Sequence, residues 1–503
     1  MIGGQKYHDI TGYDRLNMPR HALDWPNVPR QTKSYPDLPT FALEPAAGVT
    51  KKSFWQVMEE TEKASCSATM DMESLSTVLG LAYGYTARQR AGSQEYLYRS
   101  VPSAGALYPV EIYVSGKGIT GLPPGLFHYD IQAFSLQQLR GEEASVLVAE
   151  TLAIPKSENC WVSFILSGIF FRSSWKYRKR AFRYVMLDTG HLVENLVSTL
   201  VYAGFPWSIR YDFVDERLCS LMGMDRLKEA CFAIVDVCPG RVPNDVEGER
   251  SAVEPPALAA GVAGASRVAS QEVTYDAVKD IYFASSESRK DRGPVDETPA
   301  VTLLTPRQWF PVRQQDAKNF GADYVGVVQG RRSRRNFVRE PIAIMSFMLL
   351  LSLAFTTPRS DIRTEHLSAV VTTGFLVGRV EGFDPGFYRL AADSRMYGLL
   401  DAGFFVERMA GICLDQLWLA NAGVLFLFMA NLKALDDSCG ARGYRYAMME
   451  AGRCGQRLYL GSTALGLGCC GIGAFYDNEA RSLLSLDDDS YLLYLVAVGK
   501  VKG

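Results

Sequence analysis

The stretch "RAFRYVMLDTG" at residues 180–190 is matched, 262 positions on, by "RGYRYAMMEAG" at residues 442–452. Arg, aromatic, Arg, Tyr, Met, acid and Gly fall in register. Working outward, "PPGLFHYD" (123–130) meets "DPGFYRL" (384–390), and "FVDERLCSLMGMD" (213–225) meets "FYDNEARSLLSLD" (475–487), within one residue of the same shift. The chain therefore reads as two copies of one domain, residues 1–240 and 301–503. They are joined by 241–300, where "ERSAVEPPALAAGVAGASRVAS" has the Ala, Gly, Ser and Pro content of a linker. A length of 503 residues agrees, because single cores stop growing well short of it.

Each copy repeats one coarse order. An amphipathic helix is expected near 72–84 or 342–355, strands around 111–114 and 126–129 with their partners, and a long helix from near Tyr184 or Tyr446. A short apolar strand closes each copy, "CFAIVDVC" (231–238) and "YLLYLVAVG" (491–499). Interspersed helices and strands argue for an α+β domain built twice, and tandem copies are expected to pack as an intrachain pseudo-dimer.

Composition narrows the function. Lys+Arg 53 against Asp+Glu 55 leaves no basic surface for nucleic acid. The N-terminal "MIGGQKYHDITGYDRLN" lacks the basic and apolar regions of a secretory signal, so a cytoplasmic protein is expected. Two stretches, "PIAIMSFMLLLSLAFTTP" (341–358) and "LANAGVLFLFMANL" (419–432), are too short in apolar run to span a membrane and read as a buried helix and a buried strand. The ten cysteines form no metal-type spacing, so no metal is expected and free thiols are the default. Adjacent Cys469 and Cys470 read either as small buried residues or as a redox pair.

The copies diverge where chemistry would sit. The second has "GRRSRRNF" (330–337), arginines around a serine read as the start of a helix, which suits a phosphate or simply a solvated turn; "TEKASCSATM" (61–70) opposite has no arginine. The second also has "GLGCCGIGAFYD" (466–477), read as a Gly-rich turn that lets backbone approach a planar ligand, where the first has "FPWSIRYDFVD" (205–215). The first copy alone keeps "PSAGALYP" (102–109) and the Lys-Tyr pair of "WKYRKRAFRY" (175–184), and His191 stands where the second copy has Arg453. The lone histidine is read as structural. These losses are complementary, so an interface between the copies would hold one complete site and one ruined one.

Together, "RRSRRNF", "PSAGALYPVEIY", "KYRKRAFRY…GH" and "GLGCCGIGAFYD…VGK" resemble the nitroreductase superfamily of flavoproteins. The resemblance is specifically to its SagB-type branch, the thiazole/oxazole oxidases of peptide natural-product pathways, which the opening "YHDITGYDRLNMPRHALDWPNVPRQTKSYPDLP" (7–39) also resembles. The resemblance implies two tandem FMN-type domains. Arg331, Ser333 and Arg335 would hold the phosphate and ribityl end, and Lys500 would lie near the phosphate. Gly471, Ile472, Gly473 and Ala474 would line the flavin ring, and Pro102, Ser103, Ala104 and Gly105 would cover it from the other copy. Lys176 and Tyr177 would be the catalytic pair, since removing a hydride also needs a base for the neighbouring proton. The implied reaction is oxidation of a small-molecule or peptide-derived intermediate, carrier- or leader-bound, such as an azoline to its azole, with electrons passed to dioxygen. An NAD(P)H-fed reductase of nitro, quinone or ene substrates, and a flavin-less scaffold for a peptide-modifying complex, stay open beside it.

Overall fold

A computed structural model describes residues 2–18, 21–45, 52–60, 69–91, 94–152, 161–237, 260–286, 305–313, 320–355, 370–391 and 395–502, with isolated residues between them. Two seven-stranded antiparallel sheets have the same strand order. In the first the order is Thr40–Ala42, Ser135–Arg140, Gly125–Asp130, Val110–Lys117, Trp161–Ile169, Glu229–Val237, Ser208–Arg210. In the second it is Phe310–Pro311, Met396–Ala402, Gly386–Ala391, Thr372–Val377, Val424–Asn431, Ser490–Gly499, Gly468–Ile472. Central strands such as Trp161–Ile169 and Ser490–Gly499 are buried at every residue, as continuous apolar runs covered on both faces require.

The quoted repeat forms the starts of two long helices, Ala181–Ala203 and Arg442–Ala464, which pack on each other between the sheets. Their crossing explains the shared glycine. A Cβ on Gly190 would stand 2.8 Å from the Met449 carbonyl carbon, and one on Gly452 would stand 3.1 Å from Gly190 Cα. A mid-helix glycine costs about 1 kcal/mol against alanine, and here that cost is offset by close backbone packing.

The shared arginines tie the halves together in two equivalent places. Arg180 and Arg183 reach across to Asp477 at 2.8 and 2.7 Å. Arg442 and Arg445 reach back to Asp215 at 2.6 and 2.5 Å. Each aspartate opens a short helix of the opposite half, Asp477–Leu483 or Asp215–Leu221, where a helix N-terminus adds its own attraction for a carboxylate.

Chain order hides two further features. Helix Gly4–Ile10 docks on the second half, its Gly4 and Gln5 N–H groups donating to Asp436 at 2.7 and 3.0 Å, and the Tyr7 ring lies between Phe182 and Tyr444. Within 241–300, helix Asp276–Ser286 buries Val278, Ile281 and Tyr282, an i, i+3, i+4 apolar face that makes this part of the connector a packed element rather than a bare linker.

Candidate functional site

The loop "PSAGALYP" leaves the first half's small ribbon and turns sharply before strand Val110–Lys117. Gly105, Ala106 and Tyr108 all have positive φ, 66°, 54° and 47°. Only glycine takes that region freely, so the turn is strained at two residues that carry side chains. A Cβ on Gly105 would lie 2.9 Å from Tyr177 Oη and 3.2 Å from Lys176 Nζ. The loop and the Lys-Tyr pair, far apart in sequence, are therefore in contact.

Helix Phe170–Tyr177 carries the pair and ends at Arg178, whose φ of 50° turns the chain into the long helix. The Tyr177 ring packs on Tyr184 with centroids 4.1 Å apart. Burial pushes the Tyr177 phenol above its ordinary range. Lys176 is half-buried, and burial together with the charge of Arg335 lowers its ammonium pKa. The Arg335 charge that acts on Lys176 comes from the other half, so the two residues approach each other across the seam.

Segment 331–337 corrects one expectation. It follows the C-terminus of helix Tyr324–Gly330, and the next helix begins only at Ile344, so no helix start stands behind these arginines. Instead the segment runs extended beside the expected Gly-rich turn, which is also not a turn. Gly468–Ile472 is an edge strand, paired to Ser490–Gly499 on one side and bridged at Cys469 to Ser333 on the other. Its glycines serve close approach: a Cβ on Gly471 would overlap Tyr494 Oη, and one on Gly473 would stand 2.8 Å from the Tyr184 ring of the other half.

Arg331 donates from Nε to Ser100 O (2.7 Å) and from Nη2 to Arg99 O (3.0 Å), tying the second half to the backbone just before the loop. Its Nη1 is buried without a partner, no carboxylate pairs with it among the described residues, and burial lowers its pKa. A buried guanidinium with a free donor suits an anion. Ser333 Oγ lies 2.9 Å from Tyr459 Oη, which also accepts the Gly471 N–H at 2.7 Å. Arg335 is exposed. Pro102, which opens the loop, is buried, and Ile472 and Ala474 flank Gly473. Lys500 Nζ lies 3.4 Å from Glu340.

Residues that the sequence reading passed over complete the site. Arg180 and Tyr184 of the first half donate to Gly473 O at 3.0 and 3.2 Å. His191 sits between Gln456 Oε1 and Tyr494 Oη, 3.0 Å from each, and burial drives its pKa down to about 3, so it is a neutral structural link. No sequence signal marks Tyr459 or Tyr494. Tyr184 belongs to the repeat, where its role in one half could not be told from its role in both.

The pseudo-symmetric place is built differently. There Arg453 replaces His191 and Glu194 replaces Gln456, and Arg453 pairs with Glu194 and Glu450 at 2.9 Å each, with Arg457 beside them. Buried ion pairs fill this position, whereas a neutral hydrogen-bonded chain backs the other. The facing stretches 61–68 and 356–369 lie outside the described residues.

The fold is that of a fused two-half protein of the α+β type, and the loop 102–109, the Lys-Tyr pair and the segments 331–337 and 468–474 come together where the halves meet. The chain belongs to the nitroreductase family, whose profile matches it twice, at residues 65–238 and 328–500, and it is an oxidoreductase of that family. It is 31% identical over 175 residues to a nitroreductase of Methanocaldococcus jannaschii, covering 34% of this chain and 87% of that one. It is 24% identical over 235 residues to the trifolitoxin-processing protein TfxB of Rhizobium leguminosarum bv. trifolii, covering 45% of this chain and 63% of that protein. A crystal structure of a nitroreductase from Anabaena variabilis superposes with a TM-score of 0.78 at 24% identity over 99% of both chains, so the tandem arrangement is a fold already seen whole. Among the described residues no helix is long and apolar enough to cross a membrane.

Proposed function

We propose that the chain binds one FMN at the seam and oxidises a peptide-derived or related natural-product intermediate, such as an azoline to its azole. The observation that carries this reading is the asymmetry of the two equivalent places: one keeps an orphaned buried donor at Arg331 and is backed by the neutral chain of Gln456, His191 and Tyr494, and the other is filled by salt bridges. In this reading Arg331, Ser333 and Arg335 hold the phosphate end, Gly471 to Ala474 and the 102–105 loop line the two faces, and Lys500 is an outer contact. In this reading residues 1–240 and 301–503 are the two domains and 241–300 connects them. The similarity to a protein that processes trifolitoxin supports a natural-product substrate.

FMN, when bound, supplies a two-electron acceptor for hydride. The chain's own residues then divide the proton work. Lys176, with its ammonium destabilised by burial and by Arg335, is the base that takes the neighbouring proton on Nζ. Tyr177 is held protonated and acts as a hydrogen-bond donor that orients the substrate. The loop at Gly105 packs on both side chains, which fixes their position beside it.

The test is the visible spectrum of purified protein with FMN released and counted. About one FMN per chain, lost in Arg331→Ala, is expected. Two per chain, none after reconstitution, or full loading of Arg331→Ala would overturn the reading. Rapid bleaching by NAD(P)H would favour a reductase instead.

A further inference from the structure

Asp188 and Glu450 stand at the same point of the two long helices. Glu450 is neutralised by Arg453 at 2.9 Å and Arg457 at 3.4 Å. Asp188 is 6% exposed and has no such partner among the described residues. Its oxygens accept instead from Ser103 Oγ at 2.5 Å and from the Ala104 N–H at 3.3 Å. Ser103 Oγ in turn accepts the Tyr108 N–H at 2.8 Å, so one carboxyl group grips both ends of the turn. The turn needs gripping. Ala106 and Tyr108 sit in the left-handed region with side chains that crowd their own backbone there. Other side-chain ties act on other points of the turn: Gln31 donates to Ala106 O at 2.7 Å, Arg172 to Tyr108 O at 2.9 Å, and the Tyr108 hydroxyl accepts the Arg99 N–H at 3.1 Å.

We propose that Asp188 is a positioning residue that holds the 102–109 loop in its strained shape through Ser103 and Ala104, and that ionisation of its carboxyl group tightens this hold. The inference deepens the proposed function, because it rests on reading the loop as the cover of the FMN site.

Both donors point at the carboxyl oxygens, and a charged acceptor binds them more strongly than a neutral one. Burial without a cation pushes the acid up to about 7, against which the Ser103 and Ala104 bonds pull down. The groups facing it are Tyr83 from helix Met72–Tyr83, Tyr108 from the loop, Tyr177 from helix Phe170–Tyr177 and Tyr494 from the last strand, all pushed up and uncharged. His191, one turn along the same helix, is held neutral. Lys176, next to the loop, is lowered and is the other group whose charge bears on this region. The sign follows from the raised acid. Global unfolding puts Asp188 in water, so its contribution to global stability is full below the unfolded value of about 4 and declines as pH climbs through about 7; local opening of the loop instead removes the Ser103 and Ala104 bonds that favour the charged form while the carboxyl group stays in the seam, so the grip on the loop grows as the acid ionises around pH 7.

The test uses hydrogen exchange of the full chain without added cofactor, reading peptides over residues 100–110 at about pH 6 and about pH 8, corrected for intrinsic rates. Protection in the wild type is expected to rise about fivefold between the two, and in Asp188→Asn to stay flat and lower at the higher pH. Equal protection, or the same rise in Asp188→Asn, would overturn the proposal. Asn keeps the size of the side chain, so the test survives if Asp188→Ala does not fold. Titration with FMN separates this from the functional reading: the ratio of wild-type to Asp188→Asn affinity should itself change with pH, which cancels titration of the phosphate. If no form binds FMN the functional reading fails, and the exchange result still decides the role of Asp188.

Discussion

Gly190→Ala tests the seam on which the proposed FMN site depends. The new Cβ would stand 2.8 Å from the Met449 carbonyl carbon and 2.9 Å from its Cα, and both are backbone atoms in the middle of a helix that cannot rotate away. Restoring ordinary contact requires the helices to part by about 1 Å, and a gap of that order forfeits a quarter to a half of each dispersion contact along the crossing. Overpacking costs about 1–3 kcal/mol, and a rigid backbone neighbour puts this site at the top of that range. Alanine returns about 1 kcal/mol of helix propensity. The net loss is about 2 kcal/mol. It should appear as a lower denaturant midpoint at unchanged slope, with weaker FMN binding because both halves furnish the site. Gly452→Ala should match it, since its Cβ would meet Leu187 and Gly190 at the same crossing. The double variant should cost much less than the sum, because one opening relieves both clashes. A Gly190→Ala chain as stable as the wild type, or more stable, would show that the helices do not touch there.

Asp477→Ala strands Arg180 and Arg183 in a buried clamp, and a loss of about 3–5 kcal/mol is expected in chemical denaturation. Because these arginines hold the Asp477 carboxyl well below its ordinary range, its contribution is present above the unfolded value of about 4 and disappears as pH falls further; the wild type should lose stability on acidification more steeply than the variant. Lys176→Met should retain FMN and lower turnover of a thiazoline- or oxazoline-bearing substrate by about 10²–10⁴-fold, and should abolish an acidic limb of kcat/KM that lies below the ordinary lysine range. Tyr177→Phe should raise KM more than it lowers kcat and should leave that limb in place. A variant of Lys176 with the limb unchanged would remove it from the role of base.

The duplication was legible in the chain because the residues that bind the two halves have to occur in both. Arg180 and Arg183 against Asp477, and Arg442 and Arg445 against Asp215, are one clamp made twice, and Gly190 and Gly452 are one crossing seen from its two sides. The closing strand of each half followed from a short apolar run and the long helices from the repeat, whereas the order of the strands in the sheets came only from the structure. The loop 102–109, the Lys-Tyr pair and the Gly-rich strand could be singled out for the opposite reason, since each is present in one half only.

What the tertiary structure alone decided is how these pieces face one another. Only the fold lays Gly105 on Lys176 and Tyr177, and only the fold runs Ser333 beside Cys469 and turns Lys500 toward Glu340. It also takes the helix start away from "RRSRR", because a basic segment at the end of one helix reads the same as one at the beginning of the next. Asp188 shows the limit most plainly. As an acid in the repeat it is equivalent to Glu450, and in sequence the two are interchangeable. In space one is surrounded by arginines and the other by tyrosines and a strained loop, and the free energy of a buried carboxyl group depends on those neighbours rather than on its own identity.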